Sequence, residues 1–225
     1  YEYNNVTDTW TQKASAPYPM SLSTSFVIAN EGYILTGLKH GNAIDNSMIK
    51  YNAVTNSWTP LTPPNATART RMCATVINGK LFIGPGVYGD YNYLNVSTLF
   101  GIFRKATWLY DPATESWTQK DSFPVNRHSA GSFTVDSLVY VVGGADNFLA
   151  VQNGCWSYDP NGGVWTQKAN FSGPARQGGT GLTLNNRGYY GFGVAPISNY
   201  YNDWYEYLPL SNTWVVRAPA SAIQG

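Results

Sequence analysis

Five tyrosine–tryptophan pairs recur along the chain at a single offset. Tyr3, Tyr51, Tyr110, Tyr158 and Tyr207 lie seven residues before Trp10, Trp58, Trp117, Trp165 and Trp214. Turn sequences such as NAVTNS, DPATES, DPNGGV and LPLSNT fill the gaps. Upstream of the last four tyrosines an apolar run ends in glycine: GYILTG at Gly37, LFIGPG at Gly86, VYVVGG at Gly144 and GYYGFG at Gly193. That glycine stands 14 residues before the tyrosine in three units, and each tryptophan stands 27 or 28 residues before the next such glycine. A period this regular makes each unit one supersecondary element, unable to bury its apolar faces without neighbours.

Each unit reads as four strands. Strand a is an alternating run of small residues (SFVIA, CATVI, GSFTV, GLTL), and strand b is the apolar run that its glycine closes. Strand c carries the tyrosine and, two residues earlier on the same face, Tyr1, Ile49, Trp108, Trp156 or Tyr205. An Asp/Pro/Gly/Asn turn leads into strand d at the tryptophan. The expected fold is all-β, a propeller of four-stranded antiparallel blades whose aromatic faces pack on one another. The repeated tyrosines and tryptophans are core residues first.

This pattern resembles the kelch repeat. The double glycine is intact in VYVVGG, at Gly143 and Gly144, and the YDP…W element is intact from Tyr110 to Trp117 and from Tyr158 to Trp165. The other units depart from the double glycine, with Thr36-Gly37, Pro85-Gly86 and Phe192-Gly193. The resemblance spans the whole chain and implies one kelch-like domain over residues 1–225, with units near 1–15, 16–62, 63–121, 122–169 and 170–218. The first unit supplies only strands c and d. Four full blades and a half-blade therefore lead us to expect a fragment of a six- or seven-bladed propeller, monomeric when complete. The fold says little about activity, since propellers host many.

Composition narrows the partners. Charged residues make up 12% of the chain and the formal net charge is +1, so no basic field exists for nucleic acid. No window approaches the roughly 18 to 20 apolar residues of a membrane-spanning helix. Cys73 and Cys155 lack metal-ligand spacing and read as two small buried hydrophobes, so neither a metal nor a cofactor is expected. Sequons stand at Asn5, Asn65, Asn95 and Asn170, as chance allows in so Asn-, Ser- and Thr-rich a chain. Low charge with abundant Asn, Thr, Tyr and Trp resembles secreted bacterial kelch-like propellers, which makes an extracellular, cell-surface or periplasmic location the expectation.

In an a-b-c-d meander the b–c and d–a loops share one face of the disc. The b–c loop of the second full unit is ten residues longer than its counterparts, with 24 residues from Gly86 to Tyr110 against 14. Variable loops on a rigid frame carry function. This face gathers Lys39 and His40 from the first full unit, and Tyr88, Asp90, Tyr91, Tyr93, Phe100, Phe103, Arg104 and Lys105 from the long loop. Asp146, Asn147 and Phe148 follow, then Asn199, Tyr200 and Tyr201, while the d–a loops add Arg69, Arg71, Arg127, His128 and Arg176. The candidate ligand-binding residues are Tyr88, Asp90, Tyr91, Tyr93, Arg104, Arg69, Arg127, His128 and Arg176; no catalytic or metal-binding residue is assigned. Two roles stay open for the arginines before strand a: structuring their loops, or lining the central opening. Within the insertion, Leu99, Phe100 and Ile102 are the expected small core of a hairpin.

Guanidinium groups grip carboxylates and aromatic planes stack on sugars or side chains, so a non-catalytic module for a protein, peptide or glycan ligand is expected. The competing reading is a kelch-type carbohydrate-active enzyme. A sialic-acid mutarotase would need an acid–base pair, for which His128 with Asp90 or Asp146 is the best candidate. A copper oxidase resembling galactose oxidase would need two histidines and a Tyr–Cys cross-link; only His40 and His128 exist, and neither cysteine lies beside a loop tyrosine.

Overall fold

The computed structural model describes residues 1–38, 44–63, 68–88, 102–195 and 199–219. Residues Glu2–Asn4 and Thr9–Thr11 pair as a two-stranded half-blade. Four antiparallel a-b-c-d sheets follow. Blade 1 comprises Thr24–Ile28, Glu31–Leu38, Ile44–Asn52 and Ser57–Leu61. Blade 2 comprises Ala74–Ile77, Lys80–Ile83, Thr107–Asp111 and Ser116–Lys120. Blade 3 comprises Gly131–Val135, Leu138–Val142, Cys155–Asp159 and Val164–Lys168. Blade 4 comprises Thr180–Leu184, Arg187–Gly191, Trp204–Leu208 and Thr213–Arg217. This is the expected propeller arrangement. Among the described residues no helix is long and apolar enough to cross a membrane.

Local chemistry sets each blade. The four a–b turns, Ala29-Asn30, Asn78-Gly79, Asp136-Ser137 and Asn185-Asn186, hold both residues at φ between 50° and 71°. Two successive left-handed residues match the right-handed twist of the flanking strands. In the c–d turns a carboxylate or amide such as Asn52, Asp111 or Asp159 accepts a backbone N–H two residues on.

The seams between blades explain the repeat. Each tyrosine packs on its tryptophan with ring centroids 4.7–5.0 Å apart. In blades 2–4 this pair meets the aromatic residues of strands a and b in the preceding blade: Tyr110 on Tyr33, Tyr158 on Phe82, and Tyr207 on Phe133 and Tyr140. The indole N–H of Trp58, Trp117, Trp165 and Trp214 then donates to a carbonyl just past the preceding strand d, on Ala14, Thr62, Asp121 and Ala169, at 2.9–3.2 Å. Tryptophan suits this place because it supplies both apolar area and a donor for a carbonyl outside any ladder. Cys73 and Cys155 are buried free thiols in these seams, and burial pushes the Cys73 thiol up to about 12.

The repeat glycine does not close strand b as the apolar runs suggest. Strand b of blade 2 ends at Ile83, and Gly86 instead opens a second hairpin, Gly86–Tyr88 with Ile102–Arg104. A Cβ at Gly37, Gly86, Gly144 or Gly193 would come within 2.5–2.9 Å of the carbonyl oxygen of Ser21, Thr70, His128 or Gln177. Close approach to the d–a loop, together with positive φ at Gly37, Gly144 and Gly193, excludes a side chain here.

A candidate binding face of paired loops

The glycine contact brings together the two loop sets that were expected to share a face. Ser21 bridges Leu38, Thr70 bridges Val87, His128 bridges Ala145 and Gln177 bridges Val194, so each d–a loop is laced to its own b–c loop. The next residues, Leu22, Arg71, Ser129 and Gly178, all adopt positive φ. Ser129 N–H donates to the Arg71 carbonyl at 2.7 Å, and Gly178 N–H to that of Ser129 at 2.8 Å. These rungs step from blade to blade around an opening of about 330 Å³ lined by Leu22, Ser23, Arg71, Met72, Ser129 and Gly178.

Arg69, Arg127 and Arg176 each stand 17 residues before the repeat glycine, and Met20 takes that place in blade 1. Arg176 is fully buried. Its Nε donates to Pro174 O and its Nη1 to Phe192 O; both Asp203 carboxylate oxygens accept from its guanidinium, the Nη2 contact at 2.8 Å. The Tyr201 ring covers it with its centroid 4.1 Å from Cζ. Arg69 is also buried, and its Nη1 donates to Gly84 O and Ala106 O at 3.0 and 2.8 Å. Burial, then the charge of nearby Arg104, lowers its pKa to about 10. Both therefore clamp the loops of their blade, although Nε and Nη2 of Arg69 have no hydrogen-bond partner. Arg127 is 7% exposed, and its Nη1 has no hydrogen-bond partner.

His128 is fully buried. Its Nδ1 lies 3.0 Å from Ser129 Oγ, and the Phe103 ring is 5.9 Å away. Burial, reinforced by Arg71 and Arg127, lowers its pKa to about 4, so the ring is neutral at pH 7. The carboxylate of Asp146 accepts from Phe148 N–H, Ala150 N–H and Gln152 Nε2 and thereby shapes its own loop.

The long loop leaves the blade as the Gly86–Tyr88/Ile102–Arg104 ribbon. Tyr88 is 40% exposed, with the Arg104 Cζ 5.5 Å from its ring centroid. Ile102 is 58% exposed, so it is not part of a hairpin core; ribbon geometry turns it outward. Asp90, Tyr91, Tyr93, Leu99 and Phe100 lie outside the described residues, as do Lys39 and His40. Phe148 and Tyr200 stand exposed on the neighbouring b–c loops. The sequence reading passed over Asn126 and Gln152, which line a cavity of about 420 Å³ with Lys105, Arg127, Asp146 and Asn147. Asn126 adjoins the repeat arginine, but nothing in its residue type marks it.

A family model described as the KLHDC2/KLHL20/DRC7 Kelch-repeats domain matches residues 24–223. The chain belongs to the kelch-repeat family. Kelch-like protein terF of Aspergillus terreus is 30% identical over 134 residues, 56% of this chain and 28% of that protein. Kelch-like protein 40 of Mus musculus is 25% identical over 63% of this chain and 21% of its own length. F-box/kelch-repeat protein SKIP4 of Arabidopsis thaliana is 25% identical over 60% of this chain and 36% of its own. The matched segments thus span about a third or less of these relatives. The solved structure of YjhT superposes with a TM-score of 0.79 at 19% identity, covering 95% of this chain and 75% of that one, a likeness of fold. In this kelch chain the laced loops are the least repetitive part of the blades.

Proposed function

We propose that this kelch propeller is a non-catalytic binding module that engages a peptide or glycan through the face of b–c and d–a loops. The observation carrying this reading is the contrast on that face between fixed and presented groups. Arg69 and Arg176 lock the loops of blades 2 and 4 and Asp146 shapes that of blade 3, while Tyr88, Phe148, Tyr200 and the Arg104 beside Tyr88 stand on these loops. Exposed aromatic rings with a guanidinium on a rigid frame make a recognition surface. His128 argues against the enzymatic alternative, because the best acid–base candidate is enclosed and held neutral.

Screening the purified chain against a displayed peptide library and a glycan array tests this. A saturable ligand whose affinity falls at least tenfold in Tyr88→Ala, Arg104→Ala or Phe148→Ala is the expected result. Binding indifferent to all three would sink the face assignment, and accelerated anomer exchange of a free sugar, followed by NMR, would sink the non-catalytic reading.

A further inference from the structure

The repeat contains its own control for what an arginine in the d–a loop requires. In blade 4, Arg176 is held by Asp203, the residue four before the repeat tyrosine. In blade 3 that position is Gly154, and in blade 2 it is Ala106, whose carbonyl accepts from Arg69. Gly154 provides no carboxylate. Among the described residues Arg127 makes no ion pair and its Nη1 has no partner, although the residue is 93% buried, being 7% exposed. A guanidinium nitrogen so buried and without a partner is costly, and the charge of Asp146, through space, offsets the burial of Arg127 only in part.

Space for that answer lies beside it. The cavity of about 420 Å³ between blades 2 and 3 has Arg127 and Lys105 in its wall, with Asn126, Asn147 and Gln152. Asp146 is the one acid in the wall; its oxygens are occupied by three N–H donors, two backbone and one from Gln152. Two cations against one saturated acid leave the cavity attractive to an anion. Its wall has amides and no aromatic ring, so it lacks a stacking platform for a sugar and matches the donors and acceptors of a peptide backbone.

We infer that this cavity is a carboxylate subsite, in which an acidic side chain of a partner peptide takes on Arg127 the place that Asp203 holds on Arg176. The inference rests on the binding-module reading above and names the ligand chemistry for one part of that face.

The test is an NMR titration of the chain with a terminally blocked alanine peptide carrying one glutamate, with its glutamine twin, and with glucuronate. Expected are a saturable shift of the Arg127 Nε–H signal with the glutamate peptide and none with the glutamine twin. Gly154→Asp supplies the carboxylate within the chain; its Cβ would meet only Trp156 Nε1, at 3.6 Å, so the fold accommodates it. That variant and Arg127→Ala should each weaken the glutamate peptide by about tenfold to a hundredfold. Equal response to the two peptides, binding of glucuronate alone, or full affinity in Gly154→Asp would overturn the inference. Shifts confined to Tyr88 and Arg104 would overturn it too, while leaving the wider binding face intact.

Discussion

Blades 3 and 4 follow one repeat and differ in how each answers its buried polar groups. Blade 4 closes Arg176 with Asp203, puts Gln177 at the bridge to Val194, and lets the Tyr207 hydroxyl donate to Asn212. Blade 3 has Gly154 at the position of Asp203, His128 at the bridge, and Gly163 where Asn212 would be. With no amide at Gly163, the Tyr158 hydroxyl accepts directly from Asp121 N–H at 3.3 Å. The backbone frame is the same in both. A repeat therefore tolerates the loss of individual polar partners when aromatic seams hold the blades, and the tolerance leaves room for a ligand.

The comparison breaks most visibly at the arginines. Arg176→Ala strands Asp203 and two loop carbonyls and should cost about 3–5 kcal/mol in urea unfolding, against about 1 kcal/mol for Arg127→Ala. Similar losses would mean that Arg127 is as firmly tied as Arg176. Next comes the bridge position. The His128 pKa of about 4 lies below the unfolded value of about 6.5, so the unfolded chain binds the extra proton between them. Stability is then fully present above about pH 6.5 and is lost as pH falls towards about 4, by about 3 kcal/mol in all. His128→Gln, which installs the blade 4 residue, should flatten that slope by about one proton. An unchanged slope would place the acid sensitivity elsewhere.

Two smaller effects sharpen the contrast. Asn212 Oδ1 accepts from Tyr207 Oη at 2.7 Å and from Ala169 N–H at 2.8 Å, with Asn212 at φ 52°. Asn212→Ala should cost about 1–2 kcal/mol, and a neutral result would show the hydroxyl to be satisfied without the amide. Gly154→Asp should raise stability by about 1 kcal/mol through a new pair with Arg127. Its destabilisation would show that blade 3 cannot adopt the blade 4 solution.

The seams were legible from the chain because their signal is repeated. Tyr–Trp offsets, turn sequences and apolar runs recur often enough to outweigh irregular units such as Thr36-Gly37. The loop face was only half legible. Its composition and the insertion after Gly86 were plain, and so were the three arginines. Their different roles were not, because a guanidinium's partner is a backbone carbonyl or a residue 27 positions away, as Asp203 is for Arg176. Ile102 misled for the same reason: an apolar residue in an insertion faces wherever the ribbon turns it.

The sequence alone determined the blade count present, the strand order, the buried tyrosines of blades 2–4 and which loops share a face, since these follow from periodicities of two along a strand and from a fixed spacing between units. Only the tertiary structure decided which arginine meets a carboxylate, which carbonyl each repeat glycine approaches, and that His128 is enclosed. Those outcomes depend on distances between segments remote in the chain, and hydrogen bonds and burial are set by such distances rather than by residue type.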